Sequence, residues 1–80
     1  MEAGNLKRLI GQRIAIARKA ADMSQDQVAK AINVHKQTIS RWERGERVPN
    51  GEEIRLLVEL LGCSANFILG LSDTLTVREK

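Results

Sequence analysis

Apolar residues return along this chain in a helical rhythm, interrupted at short intervals by residues that start or stop helices. From Leu6 to Ala21 they fall at Leu6, Leu9, Ile10, Ile14, Ala17 and Ala21, which places them on one helix face. Asn5 stands where an N-cap belongs, and Asp22, which tolerates left-handed backbone, stands where this helix closes. Ser24 and Gln27 form the pattern of a capping box, opening a second helix whose buried side is Val28, Ala29 and Ile32. Asn33 follows where a left-handed residue is wanted, and Val34 turns back to the core. A third helix, about Lys36 to Arg44, buries Ile39 and Trp42 and meets Gly45 at its C-terminal cap.

Pro49 bars further helix, and Asn50 with Glu53 repeats the capping-box pattern. The fourth helix then covers about Gly51 to Leu61, burying Ile54, Leu57, Val58 and Leu61, and Gly62 ends it. Ser64 caps a short fifth helix carrying Phe67, Ile68 and Leu69 and stopping near Gly70. Residues 1–73 form one domain on this reading, and 74–80 a flexible tail in which only Leu75 and Val77 hint at docking. Five short helices with tight connections do not suit an up-down bundle. The expected fold is all-α, a compact five-helix globule of crossing helices.

Composition narrows the class. Eighty residues make one small domain, and 42% apolar with 29% charged residues is a folding composition. With Trp42 and Phe67 as the aromatics, a strand-rich fold or a base-stacking single-strand binder is disfavoured. The single cysteine, Cys63, has no internal disulfide partner, which suits a reducing cytoplasm. No apolar run approaches the roughly 18 residues of a membrane span, and the opening Met-Glu-Ala-Gly-Asn lacks a signal-peptide layout. Net charge is +3, but residues 1–47 hold ten Lys and Arg against five Asp and Glu, and residues 48–80 three against five. A basic front half suggests a polyanion on one face, although the same charges also suit a plain solvated surface.

The segment from Gln25 to Gly45 carries the functional signal. A helix pair meeting at a steep angle needs a small residue midway along its first member, and Ala29 is one. Its turn needs a residue at ease with positive φ, and Asn33 qualifies. The second helix turns Lys36, Gln37, Ser40, Arg41 and Arg44 outward while Ile39 and Trp42 face inward. Gln suits adenine, Arg and Lys suit guanine, and Ser suits several partners. A solvated helix face would look the same in isolation.

Ser-Gln-x-x-Val-Ala (24–29), Asn-Val-x-x-Gln-Thr-Ile-Ser-Arg-Trp-Glu-Arg-Gly (33–45), Pro49 and Leu-Gly-Cys-Ser (61–64) together resemble the Cro/C1-type helix-turn-helix family of phage repressors and bacterial regulators. The resemblance spans about Ile10 to Asp73, and Val-Pro-Asn-Gly-Glu-Glu-Ile looks especially like the DNA-binding domain of a lambdoid phage repressor. It implies a lambda-repressor-like fold and DNA-binding roles for Gln25, Lys36, Gln37, Thr38, Ser40, Arg41, Arg44 and Arg47. Gln25 would bond a phosphate and brace the reading helix. Lys36, Gln37, Ser40 and Arg41 would reach bases or flanking phosphates, and Arg44 and Arg47 would follow the backbone. Arg18 and Glu43 look like the family's interhelical ion pair, which fixes geometry more than it adds net stability.

The sequence departs from the common pattern at a few places. Asp22 and Asn33 replace glycines. Ala17 replaces a larger Leu, a loss Met23 is placed to refill. His35 replaces the Ser or Thr that usually caps the reading helix, a loss of about 0.5–2 kcal/mol unless the imidazole itself accepts the bond. No Cys, His or carboxylate cluster accompanies His35, and no nucleotide-binding glycine motif or nucleophile–base pair appears. Neither metal, cofactor nor catalysis is expected.

The resemblance implies a transcriptional regulator, a repressor acting as a homodimer on a pseudo-palindromic operator in double-stranded DNA. The region of the fourth and fifth helices would supply partner contacts, offering Leu60, Phe67, Ile68, Leu75 and Val77. Two alternatives stand beside it. One is the antitoxin of a toxin–antitoxin pair, with a protein partner besides DNA. The other is a helical protein-interaction module without DNA binding.

Overall fold

Local hydrogen-bonding devices set most of the helix boundaries. The computed structural model describes residues 3–76, and over that span it comprises α1 (Ala3–Ala20), α2 (Gln25–Ile32), α3 (Lys36–Glu43), α4 (Gly51–Leu61) and α5 (Ala65–Ile68). No strand occurs among the described residues. Ser24 caps α2 and Asn50 caps α4, each in a complete capping box with Gln27 and Glu53, while Ser64 caps α5. Each accepted N–H removes one of the orphan donors that every helix start leaves. Asp22 and Asn33 adopt positive φ, 59° and 62°, after α1 and α2.

The start of α1 differs from the sequence expectation. The helix already runs at Ala3, so Asn5 lies inside it and does not cap it. Leu6 is 40% exposed, in a stretch from Gly4 to Arg8 that is exposed throughout. Burial along α4 is also narrower than its apolar stripe suggests. Only Leu57 is fully buried, Val58 and Leu61 are half covered at the edge of the core, and Ile54 is also only half-buried.

The core draws on every helix: Ile10, Ile14 and Ala17 of α1, Val28, Ala29 and Ile32 of α2, Ile39 and Trp42 of α3, Leu57 of α4, and Phe67 and Ile68 of α5. Helix α3 packs on α1 and α2, and α5 closes the opposite side against α1 and α4. Met23, half-buried, packs against the core cluster to which Ala17 belongs. Trp42 is fully buried, and its indole N–H finds no acceptor among the described residues. An orphan donor costs about 1–3 kcal/mol. Burying an aromatic of 150–250 Å² contributes roughly 4–6 kcal/mol, so the ring stays in. Cys63 is buried as well, and burial pushes its thiol up, leaving an inert core residue.

Phe67 and Ile68, offered above to a partner subunit, are core residues at 5% and 0% exposure. They are covered by α1, a contact between residues more than fifty positions apart. The exposed large apolar side chains on that part of the domain are instead Leu56 and Leu71, with Val48 just before α4. Arg13 of α1 secures the segment that follows α5. Its Nη1 donates to the carbonyls of Ser72 (2.9 Å) and Phe67 (3.3 Å), and its guanidinium lies 4.3 Å from the centre of the Phe67 ring. The additional pairing with Asp73 at 3.0 Å involves a nearly fully exposed carboxylate and contributes little. Leu75 packs on the core and its carbonyl accepts the Ser64 N–H at 2.7 Å, while Val77 lies outside the described residues.

Among the glycines of the described residues the closest approach is at Gly11, midway along α1. A Cβ there would collide with the carbonyl oxygen of Trp42 and stand 2.8 Å from that of Glu43, both main-chain atoms of α3. Gly4, in the same helix, has open space around it. Gly11→Ala should therefore destabilise the domain by about 1–3 kcal/mol through overpacking, whereas Gly4→Ala should be neutral or stabilising by up to about 1 kcal/mol. Urea unfolding of both variants checks this. Equal midpoints would mean that α1 and α3 do not meet at Gly11.

Candidate nucleic-acid interface

Helix α3 is short, eight residues, and its two sides are sharply divided. Ile39 and Trp42 are fully buried, while Lys36, Gln37 and Arg41 are exposed and Thr38 and Ser40 half-exposed. Arg44 follows at the C-cap and Arg47 beyond it, both exposed. Helical period thus puts the candidate residues of α3 on its outward side, with Arg44 and Arg47 exposed beyond its end. A helix with its side chains is about 10–12 Å across, and the major groove of B-form DNA is about 12 Å wide.

The polar knot behind this surface centres on Glu43. Its carboxylate accepts from Arg18 Nε at 2.7 Å and Arg18 Nη2 at 3.1 Å, a two-point fork, and from Gln25 Nε2 at 3.0 Å. Arg18 also donates to the Met23 carbonyl at 2.9 Å. One carboxylate therefore joins α1, the start of α2 and the end of α3. The side chains of Arg18 and Glu43 are only 13% and 9% exposed, and the hydrogen bonds Arg18 donates to Glu43 hold its guanidinium above its usual pKa against the opposing effect of burial. Gln25 braces α3 directly, with its side chain still half-exposed.

The two ends of α3 are treated differently. His35 occupies the N-cap with extended backbone, and its side chain makes no capping bond, unlike Ser24, Asn50 and Ser64. At the other end, Gly45 takes φ 76°, the Gly45 N–H donates to the Trp42 carbonyl at 3.0 Å, and the Glu46 N–H to the Arg41 carbonyl at 2.9 Å. This is a Schellman closure, which favours glycine because of its left-handed residue. It folds Glu46 back beside the last turn. There Glu46 binds Arg44 through two bonds, Nε–Oε2 at 2.9 Å and Nη2–Oε1 at 3.2 Å, and Arg44 Nη1 donates to Ser40 Oγ at 2.7 Å.

Gly11, Arg13 and Glu46 were not singled out in the sequence. Gly11 carried a local signal, since a mid-helix glycine costs about 1 kcal/mol against alanine and so implies a close approach. Arg13 and Glu46 carried none, because their partners are defined by the fold. Among the described residues no group of three His, Cys, Asp or Glu could hold a metal ion, and no helix is long and apolar enough to cross a membrane.

Residues 14–68 match a family described as helix-turn-helix. The chain is 39% identical over 69 residues to the HTH-type transcriptional regulator DicA of Escherichia coli K12, covering 86% of this chain and 50% of that protein. It is 39% identical over 61 residues to repressor protein C2 of Salmonella phage P22, covering 76% of this chain and 28% of that one. The chain thus spans half or less of the length of these relatives. Among solved structures, the P22 c2 repressor in complex with a synthetic operator superposes with a TM-score of 0.74 at 38% identity, over 80% of this chain and 97% of that one.

The Glu43 knot generates a stability prediction. Glu43→Leu leaves Arg18 largely buried without a counter-ion and should cost about 3 kcal/mol. Adding Arg18→Met removes the stranded charge and should recover at least half of that loss. A double-mutant cycle in urea decides the matter, and a cost below about 1 kcal/mol for the single variant would class the pair with ordinary surface bridges.

Proposed function

The chain belongs to the Cro/C1-type helix-turn-helix family, and from that premise we propose that it is a sequence-specific binder of double-stranded DNA that regulates transcription as a phage or prophage repressor. The observation that carries this reading is the surface of α3: exposed Lys36, Gln37 and Arg41 with half-exposed Ser40, on a helix seated on α1 at Gly11 and tied by Glu43. A reading helix must hold its side chains in register with base edges, and this one is fixed from behind by main-chain contact and by a forked ion pair. The similar P22 c2 repressor, solved with operator DNA, supports the same use of the fold. Both curated relatives are regulators, which favours this role over an antitoxin or a pure interaction module.

On this reading α3 enters the major groove. Gln37, Ser40 and Arg41 meet base edges, Lys36 and Thr38 reach bases or flanking phosphates, Gln25 and Arg47 lie along the backbone, and Arg44 stands beside it in its pair with Glu46. A homodimer would present two such helices to a pseudo-palindromic operator with half-sites about 34–36 Å apart. Exposed Leu56 and Leu71 are the apolar residues available to a partner subunit on the α4–α5 side. Repression follows from occupancy of promoter DNA in the cytoplasm, without catalysis by the protein and without a cofactor.

Selection from a random duplex library tests the proposal. An enriched inverted repeat with centres about 10 base pairs apart is the expected result, and an unenriched pool would remove the sequence-reading role. On the selected site, Gln37→Ala should cost about 1–3 kcal/mol and relax preference at one position per half-site. Arg47→Ala should weaken all sequences alike and reduce the salt slope by about one. Wild-type affinity and preference in both variants would show that α3 is not the reading element.

A further inference from the structure

Within the basic face read above as DNA-binding, one carboxylate stands out of place. Glu46 follows the Schellman turn of α3, and that closure returns it to the last turn of the helix. It forms a two-point pair with Arg44 at 2.9 and 3.2 Å. Arg41 also acts on it through its charge, and Arg47 is its chain neighbour. Both members of the Arg44–Glu46 pair are more than half exposed, so its site is the surface itself. The hydrogen bonds from Arg44 hold the Glu46 carboxyl below the ordinary carboxylate range, so it is ionised at neutral pH. Glu46 thus takes the two-point position on Arg44 that a phosphate oxygen pair would take.

The consequence reaches Ser40. Arg44 Nη1 donates to Ser40 Oγ at 2.7 Å, so one of the two lone pairs of the hydroxyl is occupied and its own proton must point away from Arg44. A hydroxyl has one donor and two acceptor sites. With Arg44 held in this pose, Ser40 faces outward with a hydrogen to give. In the major groove the acceptors are guanine N7 and O6, adenine N7 and thymine O4, whereas cytosine offers only its amino donor.

Resting on the DNA-binding reading, we propose that Glu46 is a specificity-positioning residue: a built-in counter-ion that withholds Arg44 from phosphates and, through Arg44, sets Ser40 as a hydrogen-bond donor to a base edge. Withholding Arg44 lowers affinity for every duplex alike, because a cation already neutralised within the protein releases fewer counter-ions from DNA. Fixing the Ser40 proton adds discrimination at one base. The first effect leaves the ratio of specific to non-specific binding unchanged, and the second raises it.

The test uses Glu46→Gln, which removes the charge at nearly constant shape from an exposed position. Binding is measured on the selected operator and on random-sequence duplex across a salt series, and the selection is repeated with the variant. Random-duplex affinity should rise roughly three- to tenfold near 0.1 M salt, with a salt slope steeper by about one. Operator affinity should rise less. At the position whose preference Ser40→Ala abolishes, the wild-type pool should carry less cytosine than the Glu46→Gln pool, because Arg44 takes one of the two acceptor sites of the hydroxyl. In an Arg44→Ala background the substitution should lose most of its effect. An unchanged slope and ratio would overturn the inference, as would an effect that survives intact without Arg44, which would make Glu46 a simple repelling charge. A wild-type protein that selects no sequence would instead overturn the DNA-binding reading, and this inference with it.

Discussion

The seating of α3 on α1 is the contact on which the rest of the structure depends. Two helices ordinarily approach to 8–10 Å between axes, and side chains at the crossing set that distance. At Gly11 there is none, so the carbonyls of Trp42 and Glu43 rest against the α1 backbone itself. That approach lets Trp42 fill the space between α1 and α2, and it brings Glu43 within reach of Arg18 and Gln25. It also defines which side of α3 remains outside. The outward row of polar residues exists because the inward side is held so closely.

The Glu43 knot adds direction rather than bulk stability. Two largely buried charges gain from their attraction about what their desolvation costs, so the pair is a weak source of folding energy. Its forked geometry, however, admits one rotation of α3 about its axis. Hydrophobic packing of Ile39 and Trp42 alone would tolerate small rotations, each of which would move the outer side chains relative to any partner. Apolar contacts hold the helix down, and polar ones index it.

Much of this was legible in the chain because it is local. The capping boxes at Ser24–Gln27 and Asn50–Glu53 and the left-handed residues Asp22 and Asn33 are decided within a few positions, and the structure places them as their sequence neighbours require. The inward and outward sides of α3 follow from helical period and were equally readable. What failed was non-local. Asn5 fits an N-cap by type, but α1 starts earlier, at Ala3. Phe67 and Ile68 read as available surface until α1, distant in sequence, covers them. Arg13 and Glu46 have no pattern of their own: the one is defined by the segment returning past α5, the other by a turn that reverses the chain.

The unequal ends of α3 give it the mechanics of a cantilever. Its C-terminal end is clamped by Gly11, the Schellman turn and Glu43, while its N-terminal end begins at His35 without a side-chain cap. Fewer side-chain bonds therefore hold the start of the helix than its end; at the start, Val34 and its N–H bond to the Ala29 carbonyl supply the tie to α2. Groups near the clamp would meet a partner as a template set by the fold, and those near the uncapped end would be held by fewer side-chain bonds. Tolerance of variation in a bound surface would be graded along one eight-residue helix, strict at one end and permissive at the other.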